Sequence, residues 1–351
     1  MSSMKHIKLF ENFKSEEEPS LDIWDEFSSL IGYDVRLAVD AHNIIIKGDR
    51  YIQEWFDKEI EKEQPNFPLI REIIGLGYKF KNLGKRYSIY WASRENKPEL
   101  IKLLLENGED INSRSSYDKD KTPLIVATEY GNKEAVKVLL ENGADIELDA
   151  TGKEMRAIHF ASENNHSEIL SLLLEYGAEK EAKDKYEKTP LHYAAMYNNL
   201  ECAKILIDAN VIIDERGEEN WTALHYASKT HSLKVAKLLL KADADINAVT
   251  EGGLTSLHIA SISAGVSIIK LLIKHNANLE IQTKYDKFTA LHYAARSNNN
   301  PYNKMSVELL LEAGADKKAL NQKNETPWDM ADYYVKKNCP ELDPDYKEKE
   351  I

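Results

Sequence analysis

Five histidines, His159, His192, His225, His258 and His292, recur at steps of 33, 33, 33 and 34 residues in a chain of 351. Imidazoles in such number raise the question of a metal centre or of acid–base work, since a neutral ring nitrogen binds zinc and titrates near neutral pH. Their spacing argues against both. If each histidine occupies the same place in one copy of a repeated unit, neighbours stand about 10 Å apart, roughly a helix diameter, whereas zinc holds its ligands at about 2 Å. No serine, cysteine or carboxylate stands in a nucleophile motif: G-x-S-x-G, the Walker loop and H-E-x-x-H are all missing from the sequence. The reading is therefore of a protein that is not an enzyme, with no cofactor, no metal and no catalytic residue. Asn165-His166-Ser167 and Asn220-Trp221-Thr222 match the glycosylation pattern, but Thr222 opens a predicted helix and the first ten residues hold no leader-like apolar run. The two cysteines, Cys202 and Cys339, are far apart and fit a reducing compartment better than a disulfide framework.

The elements that position these histidines are found by looking for self-similarity. Thr189-Pro190-Leu191-His192-Tyr193-Ala194 recurs as Thr222-Ala223-Leu224-His225-Tyr226-Ala227, as Thr255-Ser256-Leu257-His258-Ile259-Ala260 and as Thr289-Ala290-Leu291-His292-Tyr293-Ala294. Weaker copies start at Thr122 and Arg156, and the outermost at Tyr87 and Thr326. The steps between these anchors are 35, 34, 33, 33, 33, 34 and 37 residues. A second signature travels with the first: Leu139-Leu140-Glu141-Asn142-Gly143-Ala144-Asp145 is echoed at Leu173 and at Leu310. Within a unit, Leu191, Ala194 and Ala195 and then Cys202, Ile205 and Leu206 recur at helical spacing on two short segments, with Asn198-Asn199 as the turn between them. Helices of two or three turns do not persist alone in water, so each copy must be covered by its neighbour. Gly108, Gly143, Gly177 and Gly314 fall just after the second helix, where a left-handed cap is wanted, and Asn210, Asp243 and Asn276 take their place in other copies.

These two linked motifs, T-P-L-H and L-L-x-x-G-A-D, resemble the ankyrin repeat, with eight recognisable copies over about 87–335. The resemblance implies an all-α solenoid of helix-turn-helix pairs joined by β-hairpin fingers. It implies a structural histidine hydrogen-bonded to the motif threonine; at His159 that threonine is replaced by Arg156. It also implies a function: binding another protein along a concave face lined by fingers and by the residues after the first helix. Those residues are Glu129 and Tyr130, Glu163 and Asn164, Met196 and Tyr197, Lys229 and Thr230, Ile262 and Ser263, and Arg296 and Ser297.

The fingers differ in length. From cap to next anchor there are 12 residues at Gly177 to Thr189 and at Asn210 to Thr222, but 14 from Gly108 to Thr122 and 13 from Gly143 to Arg156 and from Asn276 to Thr289. Tyr117, Tyr186 and Tyr285 fall near finger tips, where tyrosine is favoured at interfaces. Trp221 and Phe288 fall at finger bases, and Trp91, Phe160, Tyr193, Tyr226 and Tyr293 fall inside. One further insertion, around residues 298–303, is placed in a helix-to-helix turn.

Residues 1–50 are read as a partly mobile, helical extension, with a worn first helix near 34–43, and residues 51–86 as a degenerate capping repeat whose second helix covers 69–81. Residues 336–351 are read as a charged tail. A formal charge of −13, from 59 acids against 46 bases, disfavours nucleic acid as a partner. No run of about 20 apolar residues is present for membrane insertion. The expectation is a cytoplasmic, monomeric scaffold for a partner protein; the alternative is a scaffold delivering an effector activity from residues 1–50.

Overall fold

The computed structural model describes residues 65–75, 88–115, 118–150, 152–296 and 301–346, with scattered single positions between 40 and 62. The chain divides into two compact units, Met1–Ser113 and Arg114–Ile351.

In the first unit, α1 (Phe67–Gly75) is followed by the pair α2 (Ile89–Arg94) and α3 (Pro98–Glu106). Helix α1 lies against α3, where Arg71 pairs with Glu99 at 3.2 Å and with Glu106 at 3.4 Å. Ile70, Ile73, Leu100, Ile101 and Leu104 are fully buried there. Of the expected first helix at 51–62, positions 52, 55, 58 and 59 are helical. Residues 76–81, most of 34–43 and the acidic run at 16–18 lie outside the described residues.

The second unit is a series of helix pairs. These are α4 (Pro123–Glu129) with α5 (Lys133–Glu141), α6 (Ala157–Glu163) with α7 (Ser167–Glu175), and α8 (Pro190–Met196) with α9 (Leu200–Asp208). Then come α10 (Ala223–Lys229) with α11 (Leu233–Lys241), α12 (Ser256–Ile262) with α13 (Val266–Lys274), and α14 (Ala290–Ala295) with α15 (Pro301–Glu312). The series closes on α16 (Pro327–Met330) and α17 (Tyr333–Asn338). First helices pack side by side in one row and second helices in another, each element meeting its neighbour one repeat on. Leu191, Ala194, Ala195, Cys202 and Leu206 are buried in this way, as the helical spacing of the sequence predicts.

The helix starts follow from the motif. Thr255 takes an extended backbone and its hydroxyl accepts from the His258 N–H, while His258 Nδ1 accepts from the Thr255 N–H at 3.0 Å. This is a reciprocal capping box in which histidine stands where glutamate is usual. The last copy uses Asp329 instead, accepting from the Thr326 N–H at 2.8 Å. The second helices end as expected: Gly143 (φ +83°) and Gly177 (φ +90°) are left-handed, and Asn210, Asp243 and Asn276 hold φ of 57°, 62° and 60° in the same place. Less expected is Ala264, whose φ of 55° closes the turn between α12 and α13, where α8 and α9 use Asn198.

Three expectations need correction. Among the described residues, the fingers form a true β-ladder only at β1 (Asp149–Ala150) and β2 (Met155–Arg156). The others are tight turns closed by single bonds such as Gly217 N–H to Trp221 O and Thr250 N–H to Leu254 O. Second, residues 301–303 of the insertion are helix, not turn. Pro301 begins α15, which runs 12 residues against nine in the second helices from α3 to α13, and buried Asn303 donates to Ala294 O at 3.1 Å. Third, the charged tail expected from 336 is folded to at least Asp343. Val335, Cys339 and Leu342 recur at i, i+4 and i+7, are fully buried, and are helped by Lys317, whose ammonium donates to Glu341 O and Asp343 O. Charged neighbours hide that apolar stripe in the sequence.

Candidate binding surface

The histidines come first, because their geometry settles what they can do. Nδ1 of His192, His225, His258 and His292 accepts from the backbone N–H of the motif threonine at 2.9–3.1 Å, so that nitrogen carries no proton. The proton therefore sits on Nε2, which donates onward to a finger carbonyl. His192 reaches Glu215 O at 3.0 Å, His225 reaches Ala248 O at 3.0 Å, and His258 reaches Phe288 O at 3.1 Å. Each histidine thus caps its own helix and ties down the finger of the next repeat. Burial pushes His159, His192, His225 and His258 down to about 4, and it lowers His292 too. The rings are neutral at pH 7 and both nitrogens are spent on backbone.

At Arg156 the lost threonine is replaced by something different. The His159 Nδ1 still accepts from the Arg156 N–H at 3.1 Å, and Nε2 meets Ala182 O at 2.9 Å. The guanidinium turns outward and bridges Glu147 and Glu179, one from each flanking finger.

A second set of links was not legible in the sequence. Glu147, Glu181, Asp214, Asn247 and Glu280 each accept from a backbone N–H one repeat on, at Glu179, Ile212, Asp245, Asn278 and Asp316, over 2.6–2.9 Å. Successive fingers are also joined directly, as in Glu218 N–H to Tyr186 O and Glu251 N–H to Glu219 O. The only sequence signal is an acid or amide at a fixed offset after each cap, and acids are common in loops.

The proposed contact residues fall at the ends of the first helices, one pair per repeat. Because those helices pack side by side, Tyr130, Asn164, Tyr197, Thr230, Ser263 and Arg296 form a row, each as the residue closing its helix. Tyr130, Tyr197 and Ile262 are 55 %, 50 % and 52 % exposed. Burial first, and then the Glu163 carboxylate of the preceding repeat, push the Tyr197 phenol above its usual range. Glu129 is engaged by Lys121 at 2.6 Å. Burial pulls the Lys121 ammonium down, but Glu129 and Asp118 outweigh it and hold the pKa above the usual value. Met196 is half-buried, and Lys229 lies over the Trp221 ring at 5.3 Å. Tyr186 and Tyr285 are exposed at their turns, each beneath a lysine, Lys188 at 4.4 Å and Lys284 at 5.4 Å. Tyr117 and Ser297 lie outside the described residues. The finger-base aromatics pack as expected: Phe288 stacks on His292 at 5.5 Å, and Trp221 lies 5.1 Å from Tyr226. Tyr193 and Tyr226 are buried, the former donating to Asp184 at 2.6 Å, while Trp91 and Tyr293 are half-buried. Among the described residues no helix is long and apolar enough to cross a membrane.

A row of capped helix pairs, five of them tied to the next finger by histidine, defines an α-solenoid repeat protein. The family model described as ankyrin repeats (3 copies) matches residues 89–184, 158–250 and 248–321, well over half of the sequence, and the chain belongs to that family. Among solved structures it is similar to the ankyrin repeat domain of Bcl-3, described as a unique member of the IkappaB protein family. That match has 28 % identity and a TM-score of 0.55, covering 63 % of this chain and 97 % of that one. It is similar in fold to the human ASB11 ankyrin repeat domain, at 24 % identity and a TM-score of 0.58, covering 66 % of this chain and 99 % of the other. No relative among the curated proteins matches. The repeats are a scaffold for protein interaction.

Proposed function

We propose that this scaffold holds a partner protein along the face built from its fingers and the ends of its first helices, and performs no chemistry of its own. The observation that carries the reading is the pair of positions ending each first helix, where Tyr130 and Tyr197 at the closing position and Ile262 just before it are each about half exposed, at 55 %, 50 % and 52 %. Large apolar or aromatic groups held out by short, rigid helices lose little freedom on binding, which is what an anchor residue needs. The consensus residues behind them build the scaffold and leave specificity to the surface. On this reading the protein acts as a cytoplasmic monomer without nucleic acid, and residues 51–86 are the worn repeat that shields one end.

The test is alanine at Tyr186, Tyr197 and Tyr285 together, assayed by calorimetry against a partner recovered by affinity purification. A buried interface aromatic costs about 2 kcal/mol or more on truncation, so affinity should fall at least about tenfold with thermal stability nearly unchanged. Unchanged affinity in a folded triple variant would move the site elsewhere. Truncation to residues 51–351 should keep both the partner and its effect; loss of the effect alone would assign it to residues 1–50.

A further inference from the structure

The second helices carry their outer charges in a regular way, with two neighbouring departures. From α3 to α15, wherever a lysine lies mid-face on another second helix, an acid of the same helix pairs with it: Lys102 with Glu99 at 2.8 Å, Lys137 with Glu141 at 3.9 Å, Lys204 with Glu201 at 2.7 Å, and Lys304 with Glu308 at 3.2 Å; the short closing helix α17 also lacks an acid but stands apart from these at the end of the series. The helix ends follow suit, with Glu106, Glu141, Glu175, Asp208 and Glu312 at the last position. Helices α11 (LKVAKLLLK) and α13 (VSIIKLLIK) contain no acid, and their last residues are Lys241 and Lys274. Lys234, Lys237, Lys241, Lys270 and Lys274 are all exposed. Lys234 with Lys237, Lys237 with Lys241, and Lys270 with Lys274 are like charges at i, i+3 or i, i+4, an arrangement that weakens a helix. In a chain of net charge −13, this local reversal of sign gives the fold only the small helix-dipole benefit of Lys241 and Lys274 at their C-termini, which accounts for none of Lys234, Lys237 and Lys270.

The two helices pack side by side, and between them runs a shallow groove of about 440 Å³ lined by Leu233, Lys237, Lys270, Leu271, Lys274 and His275. It has an apolar floor and cationic walls. We infer that this outer face of α11 and α13 is a second docking surface, distinct from the row of first-helix ends, for an acidic segment of a partner protein. Carboxylates of that segment meet the lysines and an apolar side chain between them enters over Leu233 and Leu271. The flanks set the size of the occupant. Helix α9 on one side carries Glu201 and Asp208, and α15 on the other carries Glu308 and Glu312. A narrow peptide avoids those carboxylates, whereas a bilayer or a nucleic-acid duplex brings phosphate against them.

A fluorescently labelled peptide of alternating glutamate and leucine, about ten residues long, spans two helices about 10 Å apart and serves as the probe. Anisotropy against the full chain should show saturable binding with a Kd tighter than about 0.1 mM. It should weaken at least about tenfold when Lys237, Lys241, Lys270 and Lys274 are all changed to glutamate, and again in high salt. The Lys241→Glu and Lys274→Glu changes install the residue type that other copies carry, so the variant is expected to fold, which circular dichroism checks. Reversal of Lys133, paired with Glu168 at 2.8 Å, together with Lys204 should change peptide affinity by no more than about twofold. Four results overturn the proposal: no saturable binding, binding that survives the quadruple reversal, preference for phosphatidylserine vesicles or an oligothymidine over the peptide, or lysine-dependent self-association by sedimentation.

Discussion

Lowering the pH from about 7.5 to about 5.5 should remove a large part of the stability of the repeat array, through its histidines. Burial depresses His159, His192, His225 and His258 to about 4 in the folded protein, against an ordinary value of 6.5. The unfolded chain therefore binds these protons more tightly. Stability is complete above the unfolded value and is lost as the pH falls from 6.5 towards 4. At pH 5.5 each such ring gives up about 1.4 kcal/mol, and the four together give up on the order of 6 kcal/mol. That is comparable to the entire stability of an ordinary domain, about 5–15 kcal/mol. Carboxylates held below their usual range, such as Glu99 and Asp329, add their own loss only below their unfolded pKa values of about 4, outside this interval. Urea titration at the two pH values, read by circular dichroism, measures the difference. Replacing His225 by glutamine should shrink that difference by about 1.4 kcal/mol, because one linked proton is gone. A stability change under about 1.5 kcal/mol across the interval would refute the burial and tautomer assigned to the rings.

Leu239 is fully buried on α11. Leu239→Ala should cost about 2–5 kcal/mol by chemical denaturation, and a change below about 0.5 kcal/mol would contradict the packing. Ala264 holds a left-handed φ of 55°, so Ala264→Gly should stabilise the protein by up to about 1 kcal/mol in the same assay; a loss of stability would mean the strain lies elsewhere. Elemental analysis should find no stoichiometric zinc, because each motif ring spends both nitrogens on backbone within its own repeat and the next finger. One tightly held metal per chain would overturn that role.

What could be read from the sequence was what local rules govern. Thr222 and His225 stand three apart, so their reciprocal cap is a neighbourly affair and shows in the motif itself. The asparagines and the aspartate that replace the cap glycines are legible for the same reason, since tolerance of positive φ belongs to the residue. The outward half of the histidine bond was not legible, because His225 and Ala248 are 23 residues apart and any residue type offers a carbonyl. The finger carboxylates from Glu147 to Glu280 were missed for the same cause, their acceptors being aimed at backbone. Residues 301–303 looked like a loop because Asn298–Asn300 and Pro301 are turn-formers, yet proline also suits the first turn of a helix. The lysines of α11 and α13 stood in plain view but were averaged away by a net charge of −13. The row from Tyr130 to Arg296 was placed by counting along each copy. Which of its members meets a partner depends on that partner's surface, which no residue of this chain encodes.

The joints between repeats have a consequence for how such a chain changes over generations. From His159 to His292, one ring per unit reaches forward to a carbonyl in the next unit, and the carboxylate links point the same way. The donor names no partner residue by its side chain, only a backbone oxygen at a set distance. Duplication or excision of a whole unit of about 33 residues within Thr189–Thr289 would therefore join two ends that already fit, as interchangeable links of one gauge. The unit that begins at Arg156 is different. Its guanidinium is matched to two particular glutamates, Glu147 and Glu179, so exchanging that unit alone would break a pairing that its neighbours do not share.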